Sequence, residues 1–182
     1  RKIAKLTDPV VVLAEGRGDM DDTGTVRGYD MASGDEILHF SISIDPSTIH
    51  NMRWIMDDCY LAVRVGEDQV FILDGTTGEI VFSHTATMIN HATDLEFVFI
   101  YEPQYVTDPS GKRLYIWDQE GICVDTESWT KLVDIPHMLM YDPDSDMVLT
   151  FESFGTEDSQ PKHVTAIHLP TTEELVAIGK AY

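Results

Sequence analysis

The chain has 182 residues, of which 43% are hydrophobic, and its 32 acidic and 12 basic residues give a net charge of −20. A chain of this length buries a core as one domain or as a piece of one. Its charge excludes a nucleic-acid footprint and an anionic membrane surface, and it suits a basic protein partner or bound cations.

Targeting signals and cysteines add little to this interpretation. No apolar run approaches the roughly 20 residues of a membrane helix, so we expect no membrane insertion. The chain begins at Arg1, which we interpret as the start of a segment of a longer protein, and a cytoplasmic location is favoured over secretion. Cys59 and Cys123 lack metal-site spacing and are too few for a disulfide scaffold, so we expect two buried free thiols.

One pattern recurs along the chain: an apolar, β-rich run ends at an anchor residue, a short polar turn follows, and a second apolar run begins. The copies span 26–38, 70–81, 122–133 and, more loosely, 164–176. Their anchors are Asp30, Asp74, Asp125 and His168, so the repeat period is 43 to 51 residues. That period, built from strand hairpins, is typical of propeller blades of four strands each.

The remaining runs also indicate strands, because helical periodicity is nearly absent and Gly, Pro, Asp and Ser clusters separate short apolar segments. We therefore predict an all-β fold: a β-propeller or partial propeller of about four blades, with four antiparallel strands per blade. The approximate blades are 1–44, 45–87, 88–136 and 137–182. The first blade is incomplete because it opens directly at 10–14, so further blades are expected from the parent chain or another copy.

The segment 108–115, Asp-Pro-Ser-Gly-Lys-Arg-Leu-Tyr, resembles the repeat of the YVTN and quinoprotein-like β-propellers, where a turn of Asp-Gly-Lys type precedes a strand. Hairpin 70–81 is similar to the Val-x-x-Ile-Asp and Thr-Gly-Lys-Val elements of the same repeat. WD-repeat proteins look similar where an Asp ends the third strand, and His168 departs from that pattern. Their Gly-His and regular Trp-Asp dipeptides are absent, as are the Trp-rich motifs of cofactor-binding quinoproteins. The resemblance thus implies a fold without implying a catalytic centre.

Residues 19–30 resemble the calcium loop of the EF-hand family, with oxygen donors at positions 1, 3 and 5, Gly at 6 and a carboxylate at 12. Thr at position 5 is a weak ligand, Asp at 12 is shorter than the usual Glu, and no flanking helices are visible. The alternative is an acidic, solvated loop between strands. Calcium is the candidate cofactor, and its predicted ligands are Asp19, Asp21, Thr23, Thr25 and Asp30.

The leading functional hypothesis is a non-catalytic protein-interaction scaffold, because no nucleophile elbow, phosphate loop or zinc motif is present. One alternative is an extracellular calcium-binding module of adhesion type, to which the Arg-Gly-Asp tripeptide at 17–19 would contribute. The other is a carboxylate-based hydrolase or lyase on a propeller, since 32 acids allow many carboxylate pairs. We expect Trp54, Trp117 and Trp129 to pack between blades.

Overall fold

A computed structural model of the chain describes residues 10–16, 23–66, 69–85, 103–117, 120–152, 163–171 and 174. The chain divides into two compact units, unit 1 at Arg1–Asn90 and unit 2 at His91–Tyr182. Most of the long connection at 83–102 lies outside the described residues. In the described ranges, no helix has the length and apolar character needed to cross a membrane.

Unit 1 contains two antiparallel sheets, each a meander of strands that follow one another in the chain. Sheet 1 consists of β1 (Val10–Gly16), β2 (Gly24–Asp30) and β3 (Glu36–Ile42). A single 3-10 turn at Pro46–Thr48 leads to the second sheet. Sheet 2 consists of β4 (Ile49–Ile55), β5 (Tyr60–Val65), β6 (Gln69–Asp74) and β7 (Ile80–Thr85).

Unit 2 repeats this design with one four-stranded and one three-stranded meander. Sheet 3 consists of β8 (Gln104–Thr107), β9 (Arg113–Trp117), β10 (Gly121–Asp125) and β11 (Thr130–Ile135). Sheet 4 consists of β12 (Met138–Asp142), β13 (Met147–Glu152) and β14 (His163–Ile167).

The predicted fold class is confirmed: the chain is all-β, and its blade-like antiparallel sheets are those expected of a partial β-propeller. Sheet 1 has three strands in the described ranges, in agreement with an incomplete first blade. The hairpins predicted at 26–38, 70–81 and 122–133 coincide with β2–β3, β6–β7 and β10–β11. Alternate residues of β2 are buried, as the two-residue period of a strand requires.

The core of unit 1 lies between its two sheets. The side chains that fill it are 6% exposed or less, and they come from β2, β3, β5, β6 and the turn after β3: Val26, Phe40, Ile42, Ile44, Leu61, Val63 and Leu73. Trp54 of β4 packs against this cluster, as expected for an aromatic side chain between sheets.

The core of unit 2 likewise joins sheets 3 and 4. It is formed by Tyr115, Trp117, Cys123, Ile135, Met138, Tyr141 and Val148. Trp117 is thus in the predicted position, whereas Trp129 lies in the turn between β10 and β11. Cys123 is a buried free thiol, as predicted. The prediction for Cys59 is wrong: it is exposed, because it ends the turn before β5 instead of entering the strand.

The anchor aspartates close the hairpins in which they occur. Asp74 Oδ1 accepts hydrogen bonds from the N–H groups of Thr76 (2.8 Å) and Thr77 (2.9 Å), and its carbonyl accepts from the N–H of Gly78 (2.8 Å). Asp30 and Asp125 form the same side-chain bonds to the N–H groups two and three residues later. Asp is suited to this position because its short carboxylate reaches backbone donors just ahead of it.

The fourth copy of the pattern takes a different course. His168 cannot make the Asp turn, and the chain instead forms a capping box, in which Thr171 N–H donates to Glu174 Oε2 (2.6 Å) and Glu174 N–H donates to Thr171 Oγ1 (3.1 Å). This reciprocal pair is a helix-start arrangement, and Glu174 has helical geometry. Sheet 4 has three strands in the described part of the chain, and residues 175–176, where the fourth copy of the pattern ends, lie outside it.

The turn between β4 and β5 carries three consecutive left-handed residues, with φ of 54° at Met56, 52° at Asp57 and 62° at Asp58. L-residues pay about 1–2 kcal/mol for this conformation, and glycine does not. Glycine also gains conformational freedom in the unfolded chain, which offsets part of this relief of strain. We therefore expect Asp57→Gly to raise the free energy of unfolding by about 0.5 kcal/mol. Urea denaturation measures this change.

The matched control is Asp144→Gly, in the turn between β12 and β13, because Asp144 is not among the residues with positive φ. Glycine there relieves no strain, so the control should lose stability. Equal effects of the two substitutions would contradict the prediction.

Candidate functional site

Of the predicted calcium ligands, the structure describes Thr23, Thr25 and Asp30. Asp19 and Asp21 are outside the described residues, as is the Arg-Gly-Asp tripeptide. Thr25 and Asp30 lie on β2, where they pair with Glu15 and Val10 of β1, and five residues of extended strand separate them by about 17 Å. Calcium holds its oxygens at about 2.3–2.6 Å, so one ion cannot bind both side chains. The structure thus does not bring Asp30 to Thr25.

Asp30 has another role, since its Oδ1 holds the turn before β3 at 2.7 Å from Ala32 N and 2.9 Å from Ser33 N. Those N–H groups lower the pKa of Asp30, Ser33 contributing most. Calcium binding by the loop therefore stays a prediction that rests on Asp19 and Asp21. If the loop binds calcium, calorimetry will record binding heat with the wild type and none with Asp21→Ala, while Asp30→Ala will bind as the wild type does. No heat from the wild type would refute the hypothesis.

Elsewhere in the described ranges, no group of three or more His, Cys, Asp or Glu side chains is arranged to hold a metal ion. The polar groups of unit 2 are instead arranged around an aromatic pair. The rings of Tyr115 and Tyr141 stack with centroids 3.9 Å apart and planes at 15°. Tyr141 Oη donates to Asp146 Oδ1 at 2.6 Å, which fixes the ring against the turn before β13.

Burial makes the groups around this pair resistant to ionisation. Desolvation raises the pKa of both tyrosines, and it raises the pKa of the Cys123 thiol to about 11. A thiol with so high a pKa holds its proton at neutral pH and is a poor nucleophile. These side chains pack in the contact between sheets 3 and 4.

Arg113 connects β9 to the chain that follows β14. Its Nη1 donates to the carbonyl of Leu169 and its Nη2 donates to the carbonyl of Pro170, each at 2.6 Å. The planar guanidinium matches two adjacent carbonyls, an arrangement that a lysine ammonium cannot reproduce. Leu169, which packs against the unit 2 core, is held in place by this bond.

His168 lies at the centre of an exposed polar cluster in unit 2. Its Nδ1 lies 3.1 Å from the carbonyl of Asp146, and its Nε2 lies 3.2 Å from Glu174 Oε2. The Asp146 carbonyl and, after it, the Glu174 carboxylate raise the pKa of His168, because both favour the protonated ring. The cluster joins the β12–β13 turn to the chain after β14.

This raised pKa predicts how stability changes with pH. An unfolded histidine has a pKa near ~6.5, so the stabilisation from His168 is complete below that value and is lost as pH rises through the higher folded pKa. We expect the melting-temperature gap between wild type and His168→Gln to be larger at pH ~5.5 than at pH ~8.5. His50→Gln, at an exposed position of β4, controls for the removal of a histidine. A gap for His168→Gln that is the same at both pH values would contradict the prediction.

An apolar cleft of about 290 Å³ lies in unit 2 between β11 and the face formed by β13 and β14. Ile135 and Val148 are 5% and 1% exposed and form its floor, whereas Val133 and Ile167 are each 38% exposed and form its walls. Val148 of the floor and Ile167 of the wall are paired on neighbouring strands of sheet 4, so their side chains form one continuous surface. Pro136, His137 and Leu169 line its ends.

Sequence reasoning did not single out this cleft. A signal was present in β11, where Leu132 and Val133 point to opposite faces and both are exposed, at 51% and 38%. A half-buried strand would alternate apolar with polar residues. Two adjacent apolar residues on an outer strand therefore mark a surface that the fold itself leaves uncovered.

Comparisons with known proteins identify no family. No family model and no curated protein matches this chain. One matching solved structure, the "Crystal Structure of Mitotic Checkpoint Complex", has 13% identity and a TM-score of 0.45, and the match covers 73% of this chain and 44% of that one. The "Crystal structure of the computationally designed Ika4 protein" has 10% identity and a TM-score of 0.44, with 90% and 93% covered. Because these TM-scores are below 0.5, neither likeness supports an argument about function, and the YVTN or WD-repeat resemblance stays a prediction.

Proposed function

We propose that this chain is a non-catalytic protein-interaction module, in which rigid antiparallel sheets present apolar side chains to a partner. The supporting observation is the distribution of exposed large apolar residues. Among the described residues six of the nine lie on β11, β12 and β14 of unit 2, with exposures from 38% to 54%: Leu132, Val133, Leu139, Met140, Val164 and Ile167.

Exposed apolar side chains that cluster on one part of a protein mark interaction sites, whereas isolated ones are ordinary. The remaining three, Met31, Ile37 and Ile80, lie on unit 1. The anchor aspartates are already committed to turns and the buried tyrosines and thiol to packing. This proposal therefore assigns binding to the strands of unit 2, where the exposed Val133 and Ile167 share one cleft.

A displayed library of natural protein segments, selected on the full chain, tests the proposal. We expect segments that bind the wild type with micromolar affinity or better and bind the triple variant Leu132→Ser, Val133→Ser, Ile167→Ser about tenfold more weakly. The matched control carries Met31→Ser, Ile37→Ser and Ile80→Ser in unit 1. A library that yields no binder, or binders that both variants retain equally, would refute the function.

A further inference from the structure

We propose that the unit 2 cleft binds one or two apolar side chains of a protein segment whose flanking residues are lysine or arginine. This inference rests on the interaction function proposed above and specifies its site and the chemistry of its partner. The argument depends on the size of the cleft, on its lining and on the charges around it.

The open shape of the cleft favours side chains over a free small molecule. Small-molecule sites are typically about 300–1,000 Å³ and enclose most of their ligand. This cleft has about 290 Å³, and two of its walls, Val133 and Ile167, are open to solvent. A buried floor with partly exposed walls is the shape into which an apolar anchor of a larger partner inserts.

The charges around the cleft favour a basic partner. Asp134 lines it and is 68% exposed, although its carboxylate is paired with Lys131 at 2.8 Å. At one end, Glu120 accepts a hydrogen bond from the N–H of His137, which also lines the cleft.

At the other end, His168 lies between the lining residues Ile167 and Leu169 and contacts Asp146 and Glu174. One carboxylate, Asp134, thus lines the cleft and a second, Glu120, is bonded to the lining residue His137. The nearby cations are Lys131, which is paired with Asp134, and Arg113, which donates to the carbonyl of the lining residue Leu169.

The net charge of the whole chain, −20, attracts cations from a distance. The negative charge of the protein would repel an acidic or phosphorylated segment. We therefore expect the residues that flank the apolar anchor of the partner to be basic.

The probe is a fluorescein-labelled ten-residue peptide with two adjacent leucines flanked by lysines, measured by fluorescence anisotropy with the full chain. One control peptide replaces the leucines with serines, and another replaces the lysines with glutamates. We expect the serine peptide to bind about tenfold more weakly and the glutamate peptide not to bind. Salt should weaken the binding of the lysine peptide, because exposed charges are screened.

Variants place the binding in the cleft. Ile167→Asn should reduce affinity about tenfold, whereas Ile37→Asn, an exposed apolar position on β3 at 49%, should change it less than about twofold. Val133→Asn, on the opposite wall, supplies a second measurement if Ile167→Asn does not fold. The comparison of the leucine peptide with its two control peptides uses the wild-type protein and does not depend on any variant.

The inference is overturned if the leucine and serine peptides bind equally, if no lysine peptide binds, or if Ile37→Asn and a folded cleft variant behave alike. The proposed function is tested separately. Library segments that bind the triple variant more weakly but lack basic flanks would leave that function standing and refute this inference alone.

Discussion

Gly78→Ala should lower the free energy of unfolding by about 3 kcal/mol. Gly78 lies in the turn after Asp74 with φ of +75°, and a Cβ atom there would collide with the Phe40 ring and lie 2.6 Å from the Ser41 carbonyl oxygen. The left-handed conformation costs alanine about 1–2 kcal/mol, and overpacking against sheet 1 adds about 1–3 kcal/mol. Urea denaturation of the full chain measures the change.

Gly34 supplies the matched control, because it occupies the same position of the turn after Asp30 with φ of +77° and has no neighbour within 4 Å of an added Cβ. Gly34→Ala should therefore cost the conformational penalty alone, about 1 kcal/mol. The difference between the two variants measures the contact between sheets 1 and 2. Equal losses would show that the turn of sheet 2 does not pack on Phe40 in solution.

Arg113→Met should cost about 2 kcal/mol, since it leaves the carbonyls of Leu169 and Pro170 without their 2.6 Å donors. Hydrogen bonds from a charged group contribute about 1.5–3 kcal/mol each, and partial exposure of the side chain reduces that value here. Arg113→Lys should recover part of the loss, because an ammonium reaches one carbonyl more easily than two. Thermal and urea unfolding of the two variants provide the measurement.

Lys131→Met is the control for this second prediction. Lys131 forms an exposed ion pair with Asp134 at 2.8 Å, and exposed pairs contribute about 0–1 kcal/mol. A loss for Arg113→Met no larger than that of Lys131→Met would mean that Arg113 does not hold the end of β14.

The hairpins could be predicted from the sequence because the information that forms them is local. Asp74 and Gly78 specify their turn within five residues, and the flanking apolar runs specify the strands. The fourth copy departs from the Asp turn, because two local rules compete there. Thr171 and Glu174 form a capping box, and it prevails once His168 has replaced the turn-forming Asp.

Asp30 illustrates a second kind of ambiguity, because it fits both the calcium-loop spacing and the hairpin turn. In the structure the turn uses its carboxylate, and the extended strand carries it away from Thr25. The apolar pair in β11 indicates an uncovered surface, but it could not locate the cleft. Val133 and Ile167 belong to different sheets and face each other through packing, which strand periodicity does not encode.

The meander order of the sheets has a consequence for synthesis of the chain. Among the strands that the structure describes, each pairs with the strand before or after it, and none pairs across an intervening strand. A hairpin closes in about 1–10 μs, whereas a ribosome adds roughly 5–20 residues per second. Each sheet can therefore assemble on the ribosome soon after its last strand emerges, so that few unpaired strands are exposed to aggregation while translation continues.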